Sequence, residues 1–461
     1  MATPNCWRCL ARPSQRLLRP ATITVPSTNA SFSTSTAQLA KEDSGVSRHI
    51  RSGKRLVLGS KKKKIRDPGK PVAPGERKAF RKRIQLSNDN ALEVTGLAPL
   101  SAENIVDQKA VGTMVGLPDQ LIDQLRTVEA FKSTQNWGLF RSPHMLIRQE
   151  TVDFVKNITD KLGKKETVRT VVTGERSSGK SMLGLQTLAA GFLNKYVVIN
   201  IPEGQELTTA ATEYQEIPRS EQFSQPVYLL KLMQAMQESN KELLQSLHVQ
   251  LDHIHLPFNT SRSTTLAALA TATKEHDVAW PVFQALWQEL LLPGRPPIML
   301  NIDGLEHIMR VSDYRNPAYK LIHSHDLALV RTITEALGGK TKFVNGAAIV
   351  GITTRGNYAK SPSVEKAIQQ AVAAQAGERI PARDPFFSKY DDRVFEALKG
   401  VSVFDVKGVS KAEARALMEY WAASGVLRMR VDERSVSERW TLAGNGVVGE
   451  IERASLYAVR L

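Results

Sequence analysis

The sequence predicts an α/β fold: a parallel sheet with helices on both faces, a small C-terminal helical lid, and a disordered basic N-terminal arm. Three observations predict it. Five short apolar runs rich in β-branched residues alternate with helical patterns, as in a parallel sheet covered on both faces. One run leads into the octapeptide Gly174-Glu175-Arg176-Ser177-Ser178-Gly179-Lys180-Ser181, and a helical run from Met182 to Leu193 follows it. Another run, Pro297 to Asp303, ends in a carboxylate.

The chain has 461 residues, 42% of them hydrophobic, enough for a sizeable core and two or three domains. Residues 1–40 contain no Asp or Glu, carry Arg8, Arg12, Arg16 and Arg19, and run into the hydroxyl-rich stretch Ser27 to Thr36. This is the composition of a mitochondrial transit peptide, with cleavage expected between Phe32 and Lys41. Both cysteines, Cys6 and Cys9, lie inside it; two thiols without further ligands make a poor zinc site, so no role is assigned to them. No apolar run approaches the roughly 18 residues needed to span a bilayer.

The formal charge of +16 is unevenly placed. Residues 1–47 carry a net +3 and residues 48–83 a net +13, so the remainder is neutral overall. Residues 41–86 read as a basic disordered arm, because so few apolar side chains cannot bury enough surface to fold. Lys61, Lys62, Lys63, Lys64, Arg81, Lys82 and Arg83 are its candidate RNA contacts. They would neutralise phosphates without reading sequence, since Phe80 is the segment's one aromatic residue available for base stacking. A solvated linker or an anchor for anionic lipid would have the same composition.

Residues 87–150 read as an N-terminal extension with one amphipathic helix around Leu117 to Phe131. Residues 151–408 hold the five strand-like runs: Val168 to Thr173, Tyr196 to Ile201, Ile298 to Asp303, Ala347 to Thr353 and Val401 to Val406. Helices are expected over Val227 to Leu247 and Val282 to Leu292. Between the fourth and fifth strands lies an Ala-rich insertion, Val364 to Ala376, followed by an aromatic cluster at Asp384 to Asp391 that is expected to pack. Residues 409–461 form the lid: a helix from Ser410, its N-cap, to Trp421, and a second after Gly444-Asn445-Gly446.

The octapeptide has the G-x-x-x-x-G-K-[ST] spacing of a phosphate loop, and its strand-before, helix-after setting is the one the chemistry requires. Its glycines let backbone N–H groups turn inward toward phosphate oxygens, and the positive end of the following helix adds favourable charge. Lys180 is expected to reach the phosphates, and the Ser181 hydroxyl to ligate Mg²⁺ opposite Asp303. Thr353 or Thr354, at the tip of the neighbouring strand, is a further candidate for nucleotide contact, with Arg355 beside them. No Asn-Lys-x-Asp stretch is present to read guanine, so the ligand is ATP or GTP, or the diphosphate.

Taken together, GERSSGKS, the Asp303 strand, the Thr353-Thr354-Arg355 tip, the SKAEARALMEYW helix and the final helix resemble the AAA+/STAND branch of P-loop proteins. More specifically, the run DYRNPAYKLIHSHDLALVRTITEALGG, Asp313 to Gly339, is similar to the death-associated protein three family, the P-loop component of the mitochondrial small ribosomal subunit. The resemblance implies a matrix protein in the head of that subunit, near the subunit interface, holding a nucleotide and bound to rRNA and neighbouring ribosomal proteins. One departure stands out: active AAA+ enzymes carry Glu directly after the equivalent of Asp303, and here that place is Gly304, with Glu306 two residues further on. Slow or absent hydrolysis is therefore expected. An active matrix ATPase or a nucleotide-gated apoptotic switch would be the alternatives.

Overall fold

The computed structural model describes residues 84–354 and 361–457. The transit peptide, both cysteines, the basic arm with Lys61 to Lys64 and Arg81 to Arg83, and Arg355 lie outside the described residues. All five apolar runs form strands: β1 (Thr167–Gly174), β2 (Val197–Ile201), β3 (Ile298–Asp303), β4 (Ala347–Ile352) and β5 (Ser402–Val406). They pair in parallel, in the order β5-β1-β4-β3-β2.

Alternation along the strands divides the core into two layers. Val198, Met299 and Val350 face one, together with α1 (Asp119–Thr127), α2 (Gln149–Gly163) and α3 (Lys180–Leu193). Ile199, Leu300 and Ile349 face the other, covered by α4 (Pro226–Ser239), α5 (His276–Leu291), α6 (Ala328–Leu337) and α7 (Pro362–Ala376). Every residue of β2, β3 and β4 is buried, which is why these strands read as continuous apolar runs. The exceptions are Asp303 at the end of β3 and two amides. Asn200 and Asn301 stand opposite each other; Asn301 Nδ2 donates to Asn200 Oδ1 at 2.8 Å, and Asn200 Nδ2 donates to the Val128 carbonyl at 2.7 Å. A slip of one residue would strand both amides in apolar surroundings, so the pair specifies the register.

Several expectations are corrected. The single helix over Val227 to Leu247 is two, Pro226–Ser239 and Lys241–Ser246. Between them, the Asn240 amide accepts the Val198 N–H and donates to the Val198 and Met236 carbonyls. The extension carries a three-stranded sheet (Ala98–Pro99, Met114–Gly116, His144–Leu146) besides its helix. In the aromatic cluster, Phe387 and Tyr390 meet with ring centroids 4.7 Å apart, but Phe386 is 95% exposed. The lid has α8 (Lys411–Ala423), α9 (Glu433–Leu442) and α10 (Val448–Glu452), the last running into a π turn, Arg453–Tyr457, where two helices were expected. Among the described residues, no helix is long and apolar enough to cross a membrane.

Ser410 caps α8 as the sequence predicts. Its hydroxyl accepts the Glu413 N–H, and the Glu413 carboxylate returns to the Ser410 N–H at 2.7 Å. The same carboxylate accepts the Gln149 N–H at the start of α2, 2.9 Å away, so the capping box also fastens the lid to the sheet domain. Ser410→Ala is expected to cost about 1 kcal/mol, measured as a lower urea midpoint at unchanged slope. An unchanged midpoint would mean that Glu413 holds the lid without the cap.

Candidate phosphate-binding site

The site begins with strand register. Ile352 of β4 stands opposite both Val172 of β1 and Asp303 of β3, so β4 and β3 end level and β1 runs two residues beyond them, to Gly174. The phosphate loop, Thr353 and Asp303 therefore share one edge, although β4 separates β1 from β3. The loop leaves β1 at Gly174 and turns through left-handed residues at Ser177 (φ 62°) and Gly179 (φ 102°), the latter directly before α3. That turn brings the N-terminus of α3, the positive end of the helix dipole, to the loop. Glu175 and Arg176 are exposed, and the buried Ser178 hydroxyl has no hydrogen-bond partner among the described residues.

Lys180 is buried, and its Nζ donates to the Gly174 carbonyl at 3.0 Å and to the Glu175 carbonyl. The side chain thus lies back along the loop. Ser181 Oγ donates to Asp303 Oδ2 at 2.8 Å, joining the two residues expected to share the cation. Sequence reasoning missed the third partner. Lys132, from the extension, is ion-paired with the same Asp303 oxygen and donates to the Pro202 carbonyl at 3.0 Å. One carboxylate and one hydroxyl suit a hard divalent ion that takes its remaining ligands from phosphate and water. Among the described residues, no group of three or more His, Cys, Asp or Glu offers an all-protein cage.

A cavity of about 630 Å³ adjoins the loop, within the usual range for small-molecule sites. Its walls come from the loop, the extension and the lid: Arg176, Ser177 and Gly179 through Met182 on one side, Met145 and Arg148 on a second, Trp421 and Gly449 on a third. The lid rests directly on the loop, with Gly449 N–H donating to the Ser177 carbonyl at 3.1 Å. Only glycine permits that approach, since a Cβ at 449 would lie 2.6 Å from the Ser177 Cβ. Asn136 of the extension donates to Glu452 of α10 at 2.7 Å, which completes a ring of contacts around the cavity.

Two more residues were not foreseen. Arg148 is buried; Nη1 donates to the Ser178 carbonyl at 3.0 Å, Nη2 donates to the Lys407 carbonyl at 2.8 Å, and the guanidinium pairs with Glu150. It fixes the loop from outside the motif, and no local pattern marks an arginine for that role. His144 lies between Phe140 and Tyr420, at ring-centroid distances of 4.5 and 4.0 Å. Burial pushes its pKa down to about 4, so it stands neutral in the cavity wall at physiological pH.

At the strand tip, Thr353 lines the cavity, but its hydroxyl donates to the Val172 carbonyl at 3.0 Å. The Thr354 N–H donates to both oxygens of Glu306, at 2.8 and 2.9 Å. Glu306 is buried, and burial pushes its pKa up to about 7 against the opposing pull of that N–H. Gly304 takes a left-handed φ of 79° as it leads into the short helix Leu305–Ile308, a backbone conformation that disfavours a glutamate there.

The family described as "Mitochondrial ribosomal death-associated protein 3" matches residues 145–454. This chain belongs to that family. It is 49% identical over 472 residues to the small ribosomal subunit protein mS29 of Neurospora crassa, covering 100% of both chains. To the Schizosaccharomyces pombe protein of the same name it is 20% identical over 353 residues, covering 75% of this chain and 71% of the relative. Among solved structures, a Walker-type ATPase of Pyrococcus abyssi aligns at 11% identity with a TM-score of 0.33, over 66% of this chain and 67% of that one.

The buried Glu306 generates a pH prediction. Its folded pKa lies above its unfolded value, so the folded state retains a proton that the unfolded state has lost between about pH 4.5 and 7. Stability therefore declines as pH rises through that window. Glu306→Gln is expected to remove the decline, gaining on the wild type by at most about 3 kcal/mol between pH 5 and 8 in thermal unfolding. A constant difference across the range would show that Glu306 is ionised throughout.

Proposed function

We propose that this chain is a constituent of the small subunit of the mitochondrial ribosome, in the matrix, and that it holds a purine nucleotide with Mg²⁺ as an internal clamp. The ribosomal part rests on the full-length 49% identity to the Neurospora crassa small-subunit protein. The nucleotide part is carried by one observation: Ser181 and Asp303, 122 residues apart in sequence, meet at 2.8 Å beside a cavity that the lid helps to wall. The ligand is ATP or GTP, or the corresponding diphosphate.

When bound, Mg²⁺ would neutralise phosphate charge. The chain's own groups do the rest. The first turn of α3 and Lys180 provide positive potential to the phosphates, while Ser181 and Asp303 hold the cation. Arg148 keeps the Ser178 carbonyl, and hence the loop, in place. The lid contributes Val448 and Gly449 to the cavity wall. Gly304 leaves no carboxylate directly after Asp303, and Glu306 is committed to the Thr354 N–H. A general base commonly contributes about 10²- to 10⁴-fold to rate, so turnover is slow and the ligand acts mainly by stabilising the fold through linkage. Lys61 to Lys64 and Arg81 to Arg83 add non-specific contacts to the phosphates of small-subunit rRNA.

Lys180→Ala is expected to abolish nucleotide retention in the purified protein, read as nucleotide released on denaturation. Unchanged content would remove the phosphate-loop assignment. Wild-type turnover is expected well below the roughly 1 s⁻¹ at which enzymes commonly start; faster turnover that disappears in Lys180→Ala would make the protein an ATPase or GTPase. Deleting residues 48–83 should weaken association with the small subunit and flatten its salt dependence, leaving nucleotide content intact. An unchanged salt slope would assign the arm to a linker or a lipid contact.

A further inference from the structure

Lys132 places a positive charge against the carboxylate where a phosphate-bound divalent ion would be held. Its ammonium shares Asp303 Oδ2 with the Ser181 hydroxyl and donates to the Pro202 carbonyl at 3.0 Å, just past the end of β2. The side chain is 25% exposed. It is also anchored at its root. The Lys132 N–H donates to Gln135 Oε1 at 2.9 Å, the Trp137 indole donates to the same oxygen, and the Val128 carbonyl is tied to Asn200 in the sheet. A long, flexible side chain is thereby fixed at both ends.

We infer that Lys132 is a built-in counter-cation of the nucleotide site, so that phosphates are held with a smaller contribution from Mg²⁺ than phosphate loops usually require. The inference rests on the nucleotide reading of the site given above. An ammonium has three N–H donors; Asp303 and Pro202 take two directions, and a phosphate oxygen entering beside Ser181 meets the third. Lysine acts here as a compact point charge, as it does in phosphate loops generally. Its position also lowers the gain from a second cation, because Mg²⁺ at Ser181 must share the Asp303 carboxylate with a like charge. A lysine serving only as a structural ion pair would contribute to stability and leave the metal dependence untouched.

The test is the ratio of affinities for a fluorescent purine nucleoside diphosphate in excess Mg²⁺ and in excess EDTA, measured on the full chain. Wild-type protein is expected to lose less than about tenfold on metal removal, and Lys132→Met to lose more than wild type, with affinity restored by Mg²⁺. Lys132→Arg keeps the charge and should keep the wild-type ratio. A wild-type loss of tenfold or more, or an equal ratio in wild type and Lys132→Met, overturns the inference while leaving the site intact. Should Lys132→Met fail to fold, the wild-type ratio decides. No binding by wild type in either condition, with Lys180→Ala indistinguishable from it, overturns the nucleotide reading itself and this inference with it.

Discussion

The register of β4 between β1 and β3 governs where the phosphate loop and Asp303 lie. Parallel strands all present their carboxyl ends on one edge, but the register decides how close those ends lie to one another. Here Ile352 faces Val172 on one side and Asp303 on the other, so a loop on β1 and an acid on β3 meet across an intervening strand. The charged groups gathered there would be costly alone in a core. Each is held: Lys180 by loop carbonyls, Asp303 by Ser181 and Lys132, Glu306 by the Thr354 N–H. Polarity is concentrated at the strand ends, while the faces of the sheet remain almost wholly apolar.

Much of this architecture was legible in the sequence, for a physical reason. Strands buried on both faces have no polar positions to interrupt them, so β2, β3 and β4 stand out as apolar runs with edges near their true ends. What escaped was set by tertiary contact or lay below the length at which a period can be seen. The break at Asn240 exists because its amide pairs with Val198 on a distant strand. The strands of the small sheet are only two or three residues long, too short for alternation to register. Helix α9 is polar almost throughout, with Val436 its one buried residue, yet Asp432 capping Ser435 was a usable signal.

The site divides along the same line. The phosphate loop and Asp303 could be read because their chemistry requires particular residues at fixed spacing. Lys132, Arg148 and Asn136 could not, since their roles come from where the extension crosses the strand ends and no spacing encodes that. Thr353 shows the reverse: a hydroxyl expected to face the ligand is donated to the Val172 carbonyl, finishing the sheet. Gly304 likewise has a backbone reason for its identity, a left-handed turn, besides its catalytic consequence.

The threading of the extension bears on where the functional unit begins. The family match starts at residue 145, which suggests a natural boundary just ahead of α2. The contacts of the preceding segment contradict such a boundary. Its Val128 carbonyl satisfies a buried amide in the sheet, its Lys132 balances Asp303, and its Asn136 reaches the lid. A chain trimmed to the matched region would keep every residue of the phosphate-loop motif, yet leave Asn200 without its acceptor, Asp303 without its ammonium partner and α10 without its tether to the extension. The span covered by the family match is thus shorter than the span that is complete by physics.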